Sequence, residues 1–202
     1  MDRISYRENK SISVAFDVGR LITALNRGWI YTGITKYVER LFSFTPQEDI
    51  TFTPIILESD YLPYLKIKNN IDSRLGREPI VLVNEFSENK ELLHFDIFHS
   101  PINPLPTGTL RNSVRRIITI HDCIHLKFPE FYPKGNPPIR EVIDSISCEE
   151  DYAICVSEVT RSDFLSFINM PYDHTCVIPS AADQLFFNRI EGKSVIDELL
   201  HT

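Results

Sequence analysis

His121 and Asp122 close the apolar run Arg116-Ile-Ile-Thr-Ile120. Where a strand ends, side chains emerge from the sheet, and an imidazole there can hydrogen-bond a sugar hydroxyl or a departing phosphate. The same histidine can equally be a loop residue held by a neighbouring carbonyl, and spacing alone leaves both readings open. Thr32-Gly33 precedes a helical pattern of apolar residues at Ile34, Tyr37, Val38, Leu41 and Phe42. A glycine at a helix start lets backbone N–H groups approach a phosphate or sugar, and the helix dipole favours negative charge there. It is also ordinary punctuation. Ser157-Glu158 follows the apolar run Tyr152–Val156 and reads first as a helix cap. His121 and His125 have helical i, i+4 spacing beside Cys123, but two histidines and a thiol without a fourth ligand make a poor zinc set. No metal site is expected.

Several chemistries lack their signatures. There is no G-x-S-x-G nucleophile elbow. The phosphate loop G-x-x-x-x-G-K-[ST] and the dinucleotide fingerprint G-x-G-x-x-G are also missing, which disfavours an epimerase-like nucleotide enzyme. A formal net charge of −7 argues against nucleic acid as a partner. Cys123, Cys148, Cys155 and Cys176 form no C-x-x-C pair, which fits reduced thiols in a cytoplasmic setting. Residues 1–10 are polar and mixed in charge, and read as a flexible tail rather than a signal peptide. No apolar run approaches the roughly 20 residues needed to span a bilayer.

The elements that must position these groups alternate in type. Ser11–Asp17 reads as a strand, followed by a loop carrying Gly19, Gly28 and Gly33 and then by the helix at 34–42. Residues 50–57 make a second strand, with Pro54 an awkward residue in its middle. A short helix is expected near Tyr61–Ile67, then strands at Ile80–Val83, Phe95–Phe98, Arg116–Ile120, Tyr152–Val156 and Cys176–Ile178. Between them fall a proline-rich loop at Pro101–Pro106, a long loop or short helix around Phe128–Pro138, and a helix at about 138–149. Further helices are expected from Ser157 to about Asn169, stopped before Pro171, and at Lys193–His201. This alternation predicts an α/β domain over 11–202, a Rossmann-like and mostly parallel sheet flanked by helices. Ligands of such sheets bind at the carboxyl ends of the strands, which would turn Gly33, His121-Asp122 and Ser157-Glu158 toward one crevice.

In order along the chain, these pieces resemble the N-terminal domain of the large retaining family-4 glycosyltransferases of GT-B architecture. Phe16-Asp-Val-Gly-Arg20 resembles that family's first strand and its exit. Tyr31-Thr-Gly-Ile-Thr-Lys-Tyr37 looks like its T-G-I-G-R-Y helix start, and Phe95-Asp-Ile-Phe-His-Ser-Pro101 with Leu105-Pro106 like its D-x-F-H-S-P loop. Thr119-Ile-His-Asp122 with Phe128-Pro-Glu130 is similar to the T-I-H-D block. Val156-Ser-Glu158, Arg161-Ser-Asp163, Val177-Ile-Pro179 and Asp183-Gln-Leu-Phe186 are similar to the closing blocks. Thr35 stands where the family has a second glycine, and Ser180-Ala-Ala-Asp183 replaces a glycine after the last strand.

The resemblance implies transfer of a hexose, with mannose one candidate, from a nucleotide-diphosphate sugar to a saccharide or lipid-linked acceptor in glycan assembly. The nucleotide sugar is a co-substrate, and no metal or other cofactor is implied. His121 and Asp122 would be the catalytic pair, with His121 contacting the transferred sugar. Thr32, Gly33, Lys36, Ser100, Ser157, Glu158 and Arg161 would line the substrate side. The same resemblance implies a partner, a second Rossmann-like domain that binds the donor and is missing from residues 1–202, so that this half is inactive alone. Work at the inner face of a membrane would suit a lipid-linked acceptor. The competing expectation is a non-catalytic interaction or scaffold domain that keeps the fold.

Overall fold

The structure is a computed structural model and describes residues 11–28, 33–43, 49–82, 95–106, 114–132 and 138–181. Its strands are β1 (Ile12–Asp17), β2 (Ile50–Leu57), β3 (Ile80–Leu82), β4 (Ile97–Ser100), β5 (Arg115–Ile120), β6 (Tyr152–Cys155) and β7 (Thr175–Val177). Its helices are α1 (Gly19–Asn26), α2 (Gly33–Ser43), α3 (Glu58–Leu75), α4 (Ile124–Lys127), α5 (Pro138–Asp144) and α6 (Glu158–Phe167). Short 3-10 turns cover Pro129–Phe131 and Tyr172–His174.

All pairings in the 7-stranded sheet are parallel, in the order β3-β2-β1-β4-β5-β6-β7. This is the α/β, Rossmann-like architecture expected from the alternation of apolar strands with helices. The direction of winding reverses between β1 and β4, the place where sheets of this kind take their ligands.

Side-chain alternation along the strands divides the apolar residues between two layers. Ala15, Ile55, Phe98, Ile118 and Ile120 pack with Val142 and Ile143 of α5 and Phe164 of α6. Phe16, Val18 and Ile56 point the other way, to Leu21 and Ile22 of α1, Val38 of α2 and Tyr64 and Ile71 of α3. Each such large side chain contributes about 1.5–3 kcal/mol when taken fully from water.

Pro54 sits inside β2, facing Phe16 in the register. β3 begins its pairing only at Ile55, so at Pro54 the strand has a neighbour on the β1 side alone. Locally it is an edge, where a missing N–H is tolerated.

The helices depart from the sequence expectation in several places. The glycine-bearing stretch after β1 contains a helix, α1, because Val18, Leu21, Ile22 and Leu25 recur at helical spacing and all join the second layer. Gly19 is its first residue, and a Cβ there would stand 2.3 Å from Asp60 Oδ2, so the close approach of α3 requires glycine. The helix expected near Tyr61–Ile67 extends over Glu58–Leu75, with non-helical backbone at Ile67 four residues after Pro63. Gly76 ends it in the left-handed region at φ 68°, a conformation that glycine adopts without the Cβ penalty.

The helix expected at 138–149 stops at Asp144. There Ser145 Oγ turns back to the Val142 carbonyl, and the Asp151 carboxylate accepts the Ser147 N–H. The strand expected at Phe95–Phe98 runs instead over Ile97–Ser100, and Asp96 just before it bonds Ser13 and Arg115 through its backbone while its carboxylate accepts the Ser13 N–H and hydroxyl. The loop after β5 holds α4 and a 3-10 turn. The tail at 1–10, Thr32, the block Asp183–Phe186 and the helix expected at Lys193–His201 lie outside the described residues.

Candidate functional site

β5 places Ile117, Thr119 and then His121 on the face opposite Ile118 and Ile120, which is the face covered by α2. Tyr37, one turn along α2 from Gly33, meets this row. Its hydroxyl lies 3.4 Å from Thr119 Oγ1, and its ring packs edge-on against the His121 ring, centroids 5.1 Å apart. The same threonine oxygen shares a 2.8 Å hydrogen bond with Nε2 of His99, on β4. Tyr37, His99, Thr119 and His121 thus form a polar seam in an otherwise apolar layer.

The protonation states follow from this packing. Burial, with His121 nearby, pushes His99 down from 6.5 to about 4, so its imidazole is neutral at pH 7. Burial likewise lowers His121, against the opposing effects of its bond to Pro101 and the Asp122 charge. His121 Nε2 lies 2.9 Å from the Pro101 carbonyl oxygen. A carbonyl can only accept, so Nε2 carries the proton and Nδ1 is left as the acceptor of the neutral ring. A ring held this way is set up to receive a hydrogen bond from a hydroxyl.

A buried carboxylate lies at the winding reversal between β1 and β4. Asp17, 2% exposed at the end of β1, accepts from the Gly19 N–H at 2.8 Å and from Asn103 Nδ2 at 2.8 Å. Burial is the main reason its pKa rises from 3.8 to about 6, and the neighbouring Asp60 carboxylate adds to the rise. Ser100, at the end of β4, donates its hydroxyl to the Asn103 carbonyl at 2.7 Å.

Among the residues singled out by sequence, His121 stands at the end of β5 against Tyr37, which lies four residues along α2 from Gly33. Asp122 is exposed, and its Oδ1 accepts the Ile124 N–H at 3.0 Å, closing the turn into α4. Ser100 is fully buried and belongs to the β4 turn rather than to an open surface. Lys36 is paired with Glu39 on its own helix at 2.9 Å. Ser157 caps α6, accepting the Thr160 N–H at 3.0 Å, with Glu158 exposed in the first turn. The Thr160 hydroxyl donates to the His121 carbonyl at 3.3 Å, which ties α6 to the end of β5.

Arg161 sits differently from the expectation of a substrate-side cation. It is 9% exposed, and its guanidinium donates to Thr175 Oγ1, the Thr175 carbonyl and the Tyr172 carbonyl while lying 3.4 Å from the Tyr172 ring centroid. Its donors fasten α6 to β7. His125 packs on Tyr132, centroids 3.9 Å apart, while His121 faces Tyr37, so the i, i+4 pair serves separate partners. Cys123 is buried, which pushes its thiol up to about 12. Among the described residues no group of three or more His, Cys, Asp or Glu side chains converges to hold a metal ion. Among them, too, no helix is long and apolar enough to cross a membrane.

Asp17, His99, Asn103 and Thr119 escaped the sequence reading as site residues. The available signal was the row Thr119, His121 at strand alternation, together with a carboxylate at the end of the first strand. Comparison of the chain with family models, with curated proteins and with solved structures finds no match in any of the three.

Proposed function

We propose that this chain is the acceptor-side domain of a retaining glycosyltransferase of the GT-B kind. It would transfer a hexose from a nucleotide-diphosphate sugar to a saccharide or lipid-linked acceptor. The observation that carries the reading is His121: a neutral imidazole beside the winding reversal, its Nε2 proton committed to Pro101 and its Nδ1 left to accept from a hydroxyl. A sugar hydroxyl is the natural donor to such a nitrogen. Gly33 at the start of the 11-residue helix α2 offers N–H groups on the same side as Tyr37 and His121, where donor phosphates would approach.

In this reading a second Rossmann-like domain holds the nucleotide, and fixed N–H dipoles and cations stabilise charge on the leaving diphosphate without a metal ion. Asp122 would act from the rim of the site. The setting would be cytoplasmic, at the inner membrane face when the acceptor is lipid-linked.

The test joins this domain to a donor-binding domain, in cis or in trans, and measures sugar transfer from a panel of nucleotide sugars. His121→Ala should lower transfer about tenfold or more, the size of one lost hydrogen bond of about 1.4 kcal/mol. Absence of transfer and of nucleotide-sugar hydrolysis in the joined protein would overturn the proposal.

A second reading, a non-catalytic scaffold domain, is favoured by two placements. Thr35 is 1% exposed, so α2 gains no open backbone at the position of the family's second glycine, and Arg161 has its donors turned inward. Transfer that is indifferent to His121→Ala would support that reading.

A further inference from the structure

The residues between β4 and the next part of the chain do more than connect. Ser100 begins a tight turn, and its hydroxyl reaches forward to the Asn103 carbonyl at 2.7 Å. Asn103 then extends its amide across the winding reversal to Asp17 Oδ2 at 2.8 Å, while Asp17 Oδ1 is held by the Gly19 N–H at 2.8 Å. The turn is therefore pinned at one end by β4 and at the other by the end of β1. Between the pins stands Pro101, buried, with φ restricted by its ring, and its carbonyl accepts from His121 Nε2 at 2.9 Å. Asp17 has no direct part in that bond. It acts on His121 through the turn, by way of Asn103 and Ser100 and the carbonyl the turn presents.

We infer that Asn103, anchored on Asp17, is a positioning residue for His121: it holds the Pro101 carbonyl where it captures the Nε2 proton and so decides which ring nitrogen faces substrate as the acceptor. A histidine tautomer is set by the partner of its other nitrogen, and here that partner is a backbone group with no fixed place of its own. The Tyr37 ring supplies orientation from the other side, edge-on at 5.1 Å, but an aromatic edge cannot select a tautomer. The charges facing the anchor are few. Asp60 of α3 approaches Asp17 across Gly19, and His99 of β4 packs against Phe16, the residue before Asp17, with centroids 5.0 Å apart. Neither donates to the Asp17 oxygens; the anchor is carried by the Gly19 N–H and the Asn103 amide, with the Ser100 hydroxyl as a further hydrogen-bond partner of the carboxyl.

The inference rests on the reading of His121 as the sugar-facing group, and its test is independent of transfer. The whole chain, labelled with 15N at histidine, is followed by NMR at pH 7.5, with His121 assigned through His121→Gln. In the unaltered protein His121 should show a resolved, slowly exchanging Nε2–H proton. Asn103→Leu, at a half-buried position, should speed exchange of that proton at least tenfold or remove its signal, with the backbone amide spectrum otherwise kept. Ser100→Ala, which deletes a single oxygen, should act in the same direction and carries the test if Asn103→Leu fails to fold. An unchanged Nε2–H signal and exchange rate in a folded variant would overturn the positioning role while leaving the transferase proposal intact. Faster exchange alongside transfer that ignores His121→Ala would leave the positioning role and remove His121 as the sugar-facing group.

Discussion

Replacing Asp17 by asparagine should make the protein more stable at neutral pH, and by an amount that depends on pH in a defined way. Asp17 is 2% exposed, and its pKa lies at about 6 in the fold against 3.8 for an ordinary aspartate. The folded state therefore holds the proton more tightly than the unfolded chain. For a carboxyl shifted upward, the stabilising contribution is complete below pH 3.8 and is lost as pH rises through about 6. At about 1.4 kcal/mol per pH unit, the loss amounts to about 3 kcal/mol. The substituted amide would keep the shape, could accept from the Gly19 N–H, and would have no charge to desolvate, while the Asn103 amide can rotate to meet it.

Urea denaturation of both proteins from pH 4 to pH 8 measures this directly. The stability of the Asp17→Asn variant minus that of the wild type should climb by about 2.4 kcal/mol across the range, the rest of the change lying below pH 4, and flatten above pH 7. For a chain of this size that is roughly 5–10 °C in Tm. Any altered hydrogen bond contributes a constant offset, so the slope is the quantity read. A difference that stays flat from pH 4 to pH 7, or that falls, would refute the argument that burial governs Asp17.

Other outcomes follow from local contacts. Arg116 and Asp151 form a bidentate pair with both side chains 1% exposed, so Asp151→Ala should cost about 3–5 kcal/mol by stranding a buried guanidinium, measurable as a lower urea midpoint. Ser157→Ala removes the acceptor of the Thr160 N–H and should cost about 1 kcal/mol in the same assay, with no change in far-UV signal beyond α6. Gly76→Ala forces a Cβ into the left-handed backbone at φ 68° and should cost about 1–2 kcal/mol, whereas the same change at Gly33, where nothing lies within 4 Å of the added Cβ, should be close to neutral.

Strands such as β5 and β6 were legible because a strand buried on both faces is a short, nearly continuous apolar run, as in Ile117–Ile120 and Ala153–Cys155, whereas β4, with His99 and Ser100 in it, was read two residues early. The Ser157 cap was legible for a similar reason, since the bond from Thr160 spans three residues and needs no distant partner. Helix α1 was missed because its flanking glycines looked like loop punctuation and outweighed the spacing of Leu21, Ile22 and Leu25. Arg161 looked like a cation available to substrate, and sequence had no means of placing Thr175 and the Tyr172 carbonyl around it.

His121 marks the boundary between the two kinds of information. Local pattern determined that it ends an apolar strand and follows Thr119 on one face, because side-chain alternation depends only on chain order. Which strands lie beside it depended on the sheet order β3-β2-β1-β4-β5-β6-β7, and so on how helices and strands share their apolar faces. That order brings Pro101, 20 residues away, to its Nε2, Tyr37 to its ring, and Asp17, 86 residues from Asn103, to the turn that holds it. Hydrogen bonds of this kind reach about 3 Å and carry no trace in sequence spacing, so only the folded chain could decide the state of the histidine.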